Sequence, residues 1–251
     1  MTAEPMVHLP LLLVAAFLAG ALNAAAGGGS FLTLPALIVA GLPPVAANAT
    51  GTVALLPGYI SGTLGFREDM RMPSGLSLRS LVVMSLAGGA AGAGLLLLTP
   101  NKTFDVMIPW LLLIATAAFA FGPRLSSTGG VRSTIGLPVP ALSIFLVAVY
   151  GGYFNGGLGI ALLALFSLLG LADLNAANGL KNLVSALLTA IAVVVYACGG
   201  TISWPEALIM MAAATVGSYL GARAVRRMEP TYVRYGIVMI GLAMTMFFFS
   251  R

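Results

Sequence analysis

Two glycine clusters are the first candidates for chemistry: Gly27-Gly28-Gly29-Ser30 and Gly156-Gly157-Leu158-Gly159. Each opens a short apolar segment, so a helix entering it must break and a new one must start just beyond. The first N–H groups of a helix have no intrahelical acceptor and carry the positive end of its dipole. Glycine lets a ligand approach that backbone closely. The combination is an anion cradle made without a buried cation. Ser30 adds a hydroxyl, and Asn23, Asn48, Thr50 and Thr52 add polar groups from adjoining segments. In the second half the same roles fall to Asn155, Gly156, Gly157, Gly159, Asn178 and Asn182. Glycine in membrane helices more often serves close packing, and Gly88–Gly92 and Gly217–Gly221, both small-xxx-small pairs, are read that way. Three consecutive glycines exceed what packing requires.

Lys181 is the only charge well inside an apolar segment. Intramembrane cations are costly and usually functional, yet a lysine about 10 Å along its helix also has the reach to snorkel. Both readings, anion attraction and snorkelling, stay open on the sequence. Asp173 reads as a helix-start residue, Trp110 and Trp204 as interfacial anchors, Pro35 and Pro57 as helix-shaping residues, and Cys198 as inert. One Cys and one His, His8, are too few for a disulfide, a zinc site or a haem site. The glycine run lacks the Gly-Lys-Ser/Thr of a phosphate loop. No HExxH, paired aspartates or Ser/His arrangement lies inside the segments, so neither a cofactor nor a catalytic residue is expected.

Such residues need a scaffold, and composition names its solvent. The chain has 251 residues, 59% of them hydrophobic and 8% charged, with a mean hydropathy of +1.03. Soluble chains carry roughly 25% charge. Twelve basic and seven acidic side chains are too few to cover a water-facing globule of this length, so the solvent is lipid. The net charge of +5 does not indicate nucleic acid, because most arginines sit in short gaps between apolar runs. Those runs are Val7–Ala26, Phe31–Leu42, Ala46–Phe66, Ser80–Leu98, Val106–Gly122, Pro138–Phe154, Leu158–Leu171, Asn175–Ala197, Pro205–Arg223 and Tyr232–Phe249. The expected fold is an all-α integral membrane protein with eight to ten hydrophobic segments. The first run lacks a basic flank and is long for a signal sequence, so it reads as a retained segment. Phe31–Leu42 would rise only about 18 Å, against a hydrocarbon core of ~30 Å. It and Leu158–Leu171 either cross fully or return as re-entrant hairpins.

The halves resemble one another. A shift of 129 aligns Gly28 with Gly157 and Gly88 and Gly92 with Gly217 and Gly221; a shift of 130 aligns Ala46-Ala47-Asn48 with Ala176-Ala177-Asn178. This predicts a first membrane repeat over 1–125, a linker over 126–137 and a second repeat over 138–251. Basic residues mark cytoplasmic loops: Arg67, Arg71 and Arg79; Arg124 and Arg132; Arg223, Arg226, Arg227 and Arg234. The 198–204 stretch is uncharged and Lys102 is offset by Asp105, so these loops are expected outside. Equivalent loops then lie on opposite sides, the repeats are inverted, and both termini are outside, with Arg251 alone disagreeing. Inverted repeats with a short, broken segment in each half point to a transporter's binding site.

"GALNAAAGGGSFLTLPALIVAGLPPVAANATGTVAL" and "VYGGYFNGGLGIALLALFSLLGLADLNAANGLKNLVSAL" resemble the two signatures of the sulfite exporter TauE/SafE family of bacterial membrane proteins. The resemblance implies a multi-pass inner-membrane permease for small sulfur anions such as sulfite, thiosulfate or organosulfonates, in contact with lipid and not with nucleic acid, and leaves a homo-oligomer open. Ala164 stands where Pro35 would repeat, and Leu180-Lys181-Asn182 replaces Thr50-Gly51-Thr52. The two half-sites are therefore expected to differ chemically. An alternating-access exporter is the leading reading. An anion channel or a non-transporting subunit is the alternative, with an intramembrane enzyme behind both. The acids, Glu4, Glu68, Asp69, Asp105, Asp173, Glu206 and Glu229, all fall at or near segment ends. No proton carrier is evident along a route, so the anion's own gradient is the expected drive.

Overall fold

The computed structural model describes residues 8–73, 75–126, 138–171, 173–225 and 230–250. Among them are ten helices and no strand. In order they are α1 (Leu9–Ala26), α2 (Ser30–Val39), α3 (Pro44–Gly65), α4 (Leu78–Leu98), α5 (Asn101–Ser126), α6 (Pro138–Tyr153), α7 (Leu158–Leu168), α8 (Leu174–Cys198), α9 (Trp204–Val225) and α10 (Pro230–Ser250). Every expected apolar segment became one helix. The helix ends follow local chemistry. Pro44 takes the first turn of α3, where no N–H is needed. The Ser77 hydroxyl caps α4 by accepting from the Ser80 N–H at 3.1 Å. Asp173 caps α8, accepting from the N–H groups of Asn175 and Ala176 at 2.9 and 3.4 Å, which is the helix-start role expected of it.

The interior combines an apolar core with a set of buried polar side chains, and large apolar side chains cover much of the exterior. Asn23, Asn48, Thr50, Thr52, Asn155 and Lys181 are buried, while Leu98, Met246, Val106 and Ile114 stand on the surface. Trp110 and Trp204 are both exposed. Leu78–Leu98 and Asn175–Cys198 are each long and apolar enough to cross a membrane by length and hydropathy. Helix α3 is long enough too, but its centre is interior to the protein and carries polar side chains in place of apolar ones.

Between helices in lipid there is no hydrophobic drive, so close packing of small residues holds them together. The most extensive pairings are α1 with α9 and α4 with α6; next come α3 with α8, α4 with α8, α10 with α5 and α3 with α9. A β-carbon on Gly217 would overlap the Phe17 carbonyl of α1, and one on Gly20 would overlap the Ala214 carbonyl of α9. Across α4 and α6, a β-carbon on Gly88 would lie 2.5 Å from the Phe145 carbonyl oxygen, and one on Gly92 would strike the Val149 carbonyl. Gly88, Gly92 and Gly217 serve packing, as expected, and Gly20 does the same; the packing of Gly221 lies outside what is described. The major interfaces join elements from either side of the 126–137 stretch, so the halves pack as one body.

The two ends of the bundle differ. The Asn101 side chain accepts from the Val45 N–H at 3.0 Å, and the Thr50 hydroxyl accepts from the Ser203 N–H at 3.0 Å. The start of α3 therefore shares an end with the sparsely charged 100–105 and 198–204 loops. At the other end, a β-carbon on Gly179 of α8 would lie 2.5 Å from Met70, beside Arg67 and Arg71. Helices α3 and α8 thus run antiparallel. The side chains of Arg124, Arg223 and Arg234, the whole of Arg132, Arg226, Arg227 and Arg251, and residues 127–137 of the linker lie outside the described residues.

Gly217→Val should overpack the α1–α9 contact and cost about 1–3 kcal/mol. Gly94, whose β-carbon would meet nothing within 4 Å, is the control: Gly94→Ala should be neutral or gain up to ~1 kcal/mol from helix propensity. Thermal unfolding of both variants in detergent checks the contrast, and equal stabilities would refute the packing role.

Candidate functional site

Helix α1 ends because Gly27 turns left-handed, at φ 79°, while its N–H still reaches the Asn23 carbonyl at 3.0 Å. The chain then folds back. A β-carbon on Gly29 would lie 2.8 Å from the Ala19 carbonyl oxygen of α1. Helix α2 starts at Ser30 and runs 10 residues, about 15 Å. The second break has the same character: Asn155 and Gly157 are left-handed at φ 60° and 71°, and Leu158 packs back on Gly151. Asparagine is one of the few side chains that tolerates this conformation. Helix α7 then runs 11 residues.

The two breaks meet. A β-carbon on Gly27 would sit 2.5 Å from the Cα of Gly159. Only a pair of glycines permits that approach. The N–H groups of Phe31, Leu32 and Thr33 take the Gly28 and Gly29 carbonyls at 3.1–3.3 Å. Those of Gly28, Gly29 and Ser30 have no backbone acceptor among the described residues, and nor do those of Gly156, Gly157 and Gly159.

One face of α3 gathers the parts. Residues 51, 55, 58, 59 and 62 lie along it at helical spacing. The Thr33 hydroxyl is 2.7 Å from where a β-carbon of Gly51 would be, and Gly29 packs on Leu55. Asn23 Nδ2 lies 3.9 Å from the same point on Gly58, and Asn182 Nδ2 lies 2.5 Å from that on Gly62. Tyr59 donates its hydroxyl to Asn155 Oδ1 at 3.2 Å.

The breaks are not equally secured. Around the second, the Tyr196 hydroxyl donates to the Gly152 carbonyl, the Tyr150 hydroxyl to the Gly156 carbonyl and Asn48 Nδ2 to the Tyr153 carbonyl. Near the first, Ser218 donates to the Gly20 carbonyl at 3.1 Å. Three buried polar atoms at the junction have no partner: Asn23 Oδ1, Ser30 Oγ and Asn155 Nδ2. An unsatisfied buried polar group costs about 1–3 kcal/mol, so each asks for a ligand atom or a water.

Other expected site residues are placed differently. Thr50 and Asn48 are engaged by Ser203 and Tyr153; Thr52 is buried, and Asn178 is half-buried and engaged elsewhere. Lys181 is 1% exposed, so its side chain does not reach the surface to snorkel. Arg67–Glu68, both exposed, is the one ion pair among the described residues, which leaves Lys181 without a carboxylate. Sequence reasoning missed Thr33, Ser185 and Thr189, all buried with free hydroxyls. The signal was present as spacing: Thr33 follows Ser30 by three residues, and Ser185 and Thr189 follow Lys181 by four and eight. Among the described residues no three His, Cys, Asp or Glu side chains group as a metal site would require.

An apolar exterior, buried polar side chains and two half-length helices meeting at glycine breaks define a polytopic α-helical membrane protein. The chain belongs to the Sulfite exporter TauE/SafE family, whose profile matches residues 12–248. It is similar to a probable membrane transporter protein of Haemophilus influenzae, 30% identical over 94% of this chain and 92% of the relative. It is also similar to the probable membrane transporter protein YfcA of Escherichia coli, 29% identical over 94% and 88%. A probable membrane transporter protein of a Sinorhizobium species is 27% identical over 94% and 90%. No solved structure matches the chain. The relatives are named as transporters, not enzymes, and the chain is a multi-pass membrane transporter of this family.

Gly27→Ala should force the breaks apart and strain a left-handed residue, costing about 1–3 kcal/mol from overpacking alone. Gly41 is also left-handed, but a β-carbon there would meet nothing within 4 Å. Gly41→Ala should therefore cost only the backbone strain, about 1–2 kcal/mol. Thermal unfolding of the two variants separates contact from conformation.

Proposed function

We propose that this protein is a permease that exports small sulfur-containing oxyanions, of the sulfite, thiosulfate or organosulfonate type, by alternating access across a bacterial inner membrane. The observation that carries this reading is the junction of Gly27 with Gly159, where unpaired N–H groups from both breaks adjoin the free Asn23, Ser30 and Asn155 side-chain atoms. The backbone N–H groups, Ser30 Oγ and Asn155 Nδ2 can donate, Asn23 Oδ1 can only accept, and no charged side chain stands among these groups. The donors suit an oxyanion, and Asn23 Oδ1 suits a protonated oxygen or a water beside it.

The inverted-repeat reading, with repeats over 1–125 and 138–251, draws support from the pairings. Under the 129-residue correspondence α1 matches α6 and α4 matches α9, so α1 on α9 and α4 on α6 are the same contact made twice. The antiparallel α3–α8 pair and the α5–α10 pair each map onto themselves. Two interleaved copies related by an axis in the membrane plane would produce this pattern. The start of α3, beside the sparsely charged 100–105 and 198–204 loops, and the basic 67–79 loop lie at opposite ends, in keeping with an N-out, C-out topology. An inside-negative potential favours anion exit by ~2.3 kcal/mol per charge per 100 mV, so export needs no proton carrier.

Proteoliposomes containing the pure protein should show saturable flux of sulfite or thiosulfate, accelerated outward from the negative side under a clamped potential without a pH gradient. Flux that does not saturate would favour a channel, no flux would favour a subunit, and voltage-indifferent flux that follows ΔpH would sink gradient-driven export. For topology, single cysteines at Ser74 and Thr128 in a Cys198→Ser background should resist an impermeant thiol reagent in intact cells. Labelling of both reverses the orientation, and labelling of one alone breaks the inverted-repeat scheme.

A further inference from the structure

Six hydroxyls of the bundle are satisfied in one way. Thr63, Ser85, Thr99, Ser143, Thr215 and Thr245 each donate to the carbonyl four residues back, at 2.6–2.8 Å. Ser185 and Thr189 of α8 do not. Both are 0% exposed, and neither hydroxyl has a partner. Lys181 precedes them at the same four-residue interval and is itself buried without a carboxylate. Residues at this spacing share a helix face, and the row is about 12 Å long.

The ends of the row have addresses. Lys181 lies beside Gly179, which packs on Phe66 and Met70 at the basic end of the bundle. Thr189 lies beside Leu188, whose side chain reaches Gly151, just ahead of the second break. The row therefore leads from the basic end to the level of the cradle. Hydrogen bonds reach only about 3 Å on either side of an ion. One small oxyanion cannot touch both ends of a row roughly four times that length.

We propose that Lys181, Ser185 and Thr189 form an anion path along α8, in which Lys181 captures the ion at the basic end and the two hydroxyls pass it to the glycine cradle. This rests on the permease reading above. The chemistry suits an oxyanion with at least two acceptor oxygens, since one oxygen holds the hydroxyl behind while another takes the hydroxyl ahead. Thr116 of α5 is also buried without a partner, but it stands singly against Gly241 of α10, whereas Ser185 and Thr189 continue one row from Lys181.

The test is initial flux of thiosulfate and sulfite in proteoliposomes of uniform orientation, with the full chain. Ser185→Ala and Thr189→Val should each lower maximal flux at least fivefold while the half-saturating concentration stays within twofold. Their thermal stability should be unchanged or higher, because each removes an unpaired buried hydroxyl; a structural role would lower it. Thr189→Ser should restore flux. Lys181→Gln should raise the half-saturating concentration at least fivefold for anion presented at the basic end, and less than twofold from the opposite end. Wild-type flux in both hydroxyl variants would overturn the path and leave the permease reading standing. An equal shift from both sides in Lys181→Gln would place Lys181 in a single central site and also overturn it. If the wild-type protein moves no anion, the permease reading itself fails and the path falls with it.

Discussion

The structure turns on the contact between Gly27 and Gly159. In hydrocarbon every backbone N–H and C=O must find a partner inside the protein, so a chain that breaks its helices at depth exposes groups it cannot leave to lipid. This chain does so twice and brings the two breaks together, where no side chain intervenes. The unpaired N–H groups then face protein interior, not acyl chains. The rest of the bundle is arranged to make that meeting possible. Helix α3 supplies a face of Gly51, Gly58 and Gly62 on which Thr33, Asn23 and Asn182 can approach. The α1–α9 and α4–α6 interfaces, closed through backbone-to-backbone glycine contacts, hold the two hairpins at a common level.

The two breaks share a geometry but not a chemistry. Side chains brace the second: Tyr59, Tyr150, Tyr196 and Asn48 each bond to it. The first keeps Asn23 and Ser30 with free polar atoms. The inequality is one of degree, since Asn155 Nδ2 on the second break is also without a partner. Under the permease proposal the braced half would keep its shape, and the open half would present its unsatisfied groups to the ligand. Substitution of the second signature at Lys181, where the first has Gly51, extends the same inequality.

Most of the architecture was legible in the sequence because lipid imposes a coarse code. Long apolar runs separated by charge or glycine leave few alternatives to helices, and ten runs became ten helices with ends displaced by a few residues. The glycine clusters were legible as breaks, since three adjacent glycines ahead of a helix serve poorly as its interior. Asp173 was legible as a cap. Gly88 and Gly92 were legible as packing residues because their four-residue spacing puts them on one helix face, and Gly217 because Gly221 follows it at the same spacing.

Partnership between distant residues was not legible, and for a physical reason: it depends on which faces the bundle turns inward. Asn48 and Thr50 look as available as Asn23 and Ser30 in the sequence, yet the first pair is engaged by Tyr153 and Ser203 while the second pair keeps free atoms. Ser185 and Thr189 look like ordinary helix hydroxyls until burial and the lack of a carbonyl partner single them out. Lys181 had two readings, anion attraction or snorkelling, and only packing against neighbouring helices, at 1% exposure, removed the second. Composition and periodicity determined the solvent, the helices and the places where they break, because those follow from local hydropathy and backbone freedom. Which breaks touch, and which polar atoms are left without a partner when they do, was decided by tertiary packing, because hydrogen bonds are satisfied in space and not along the chain.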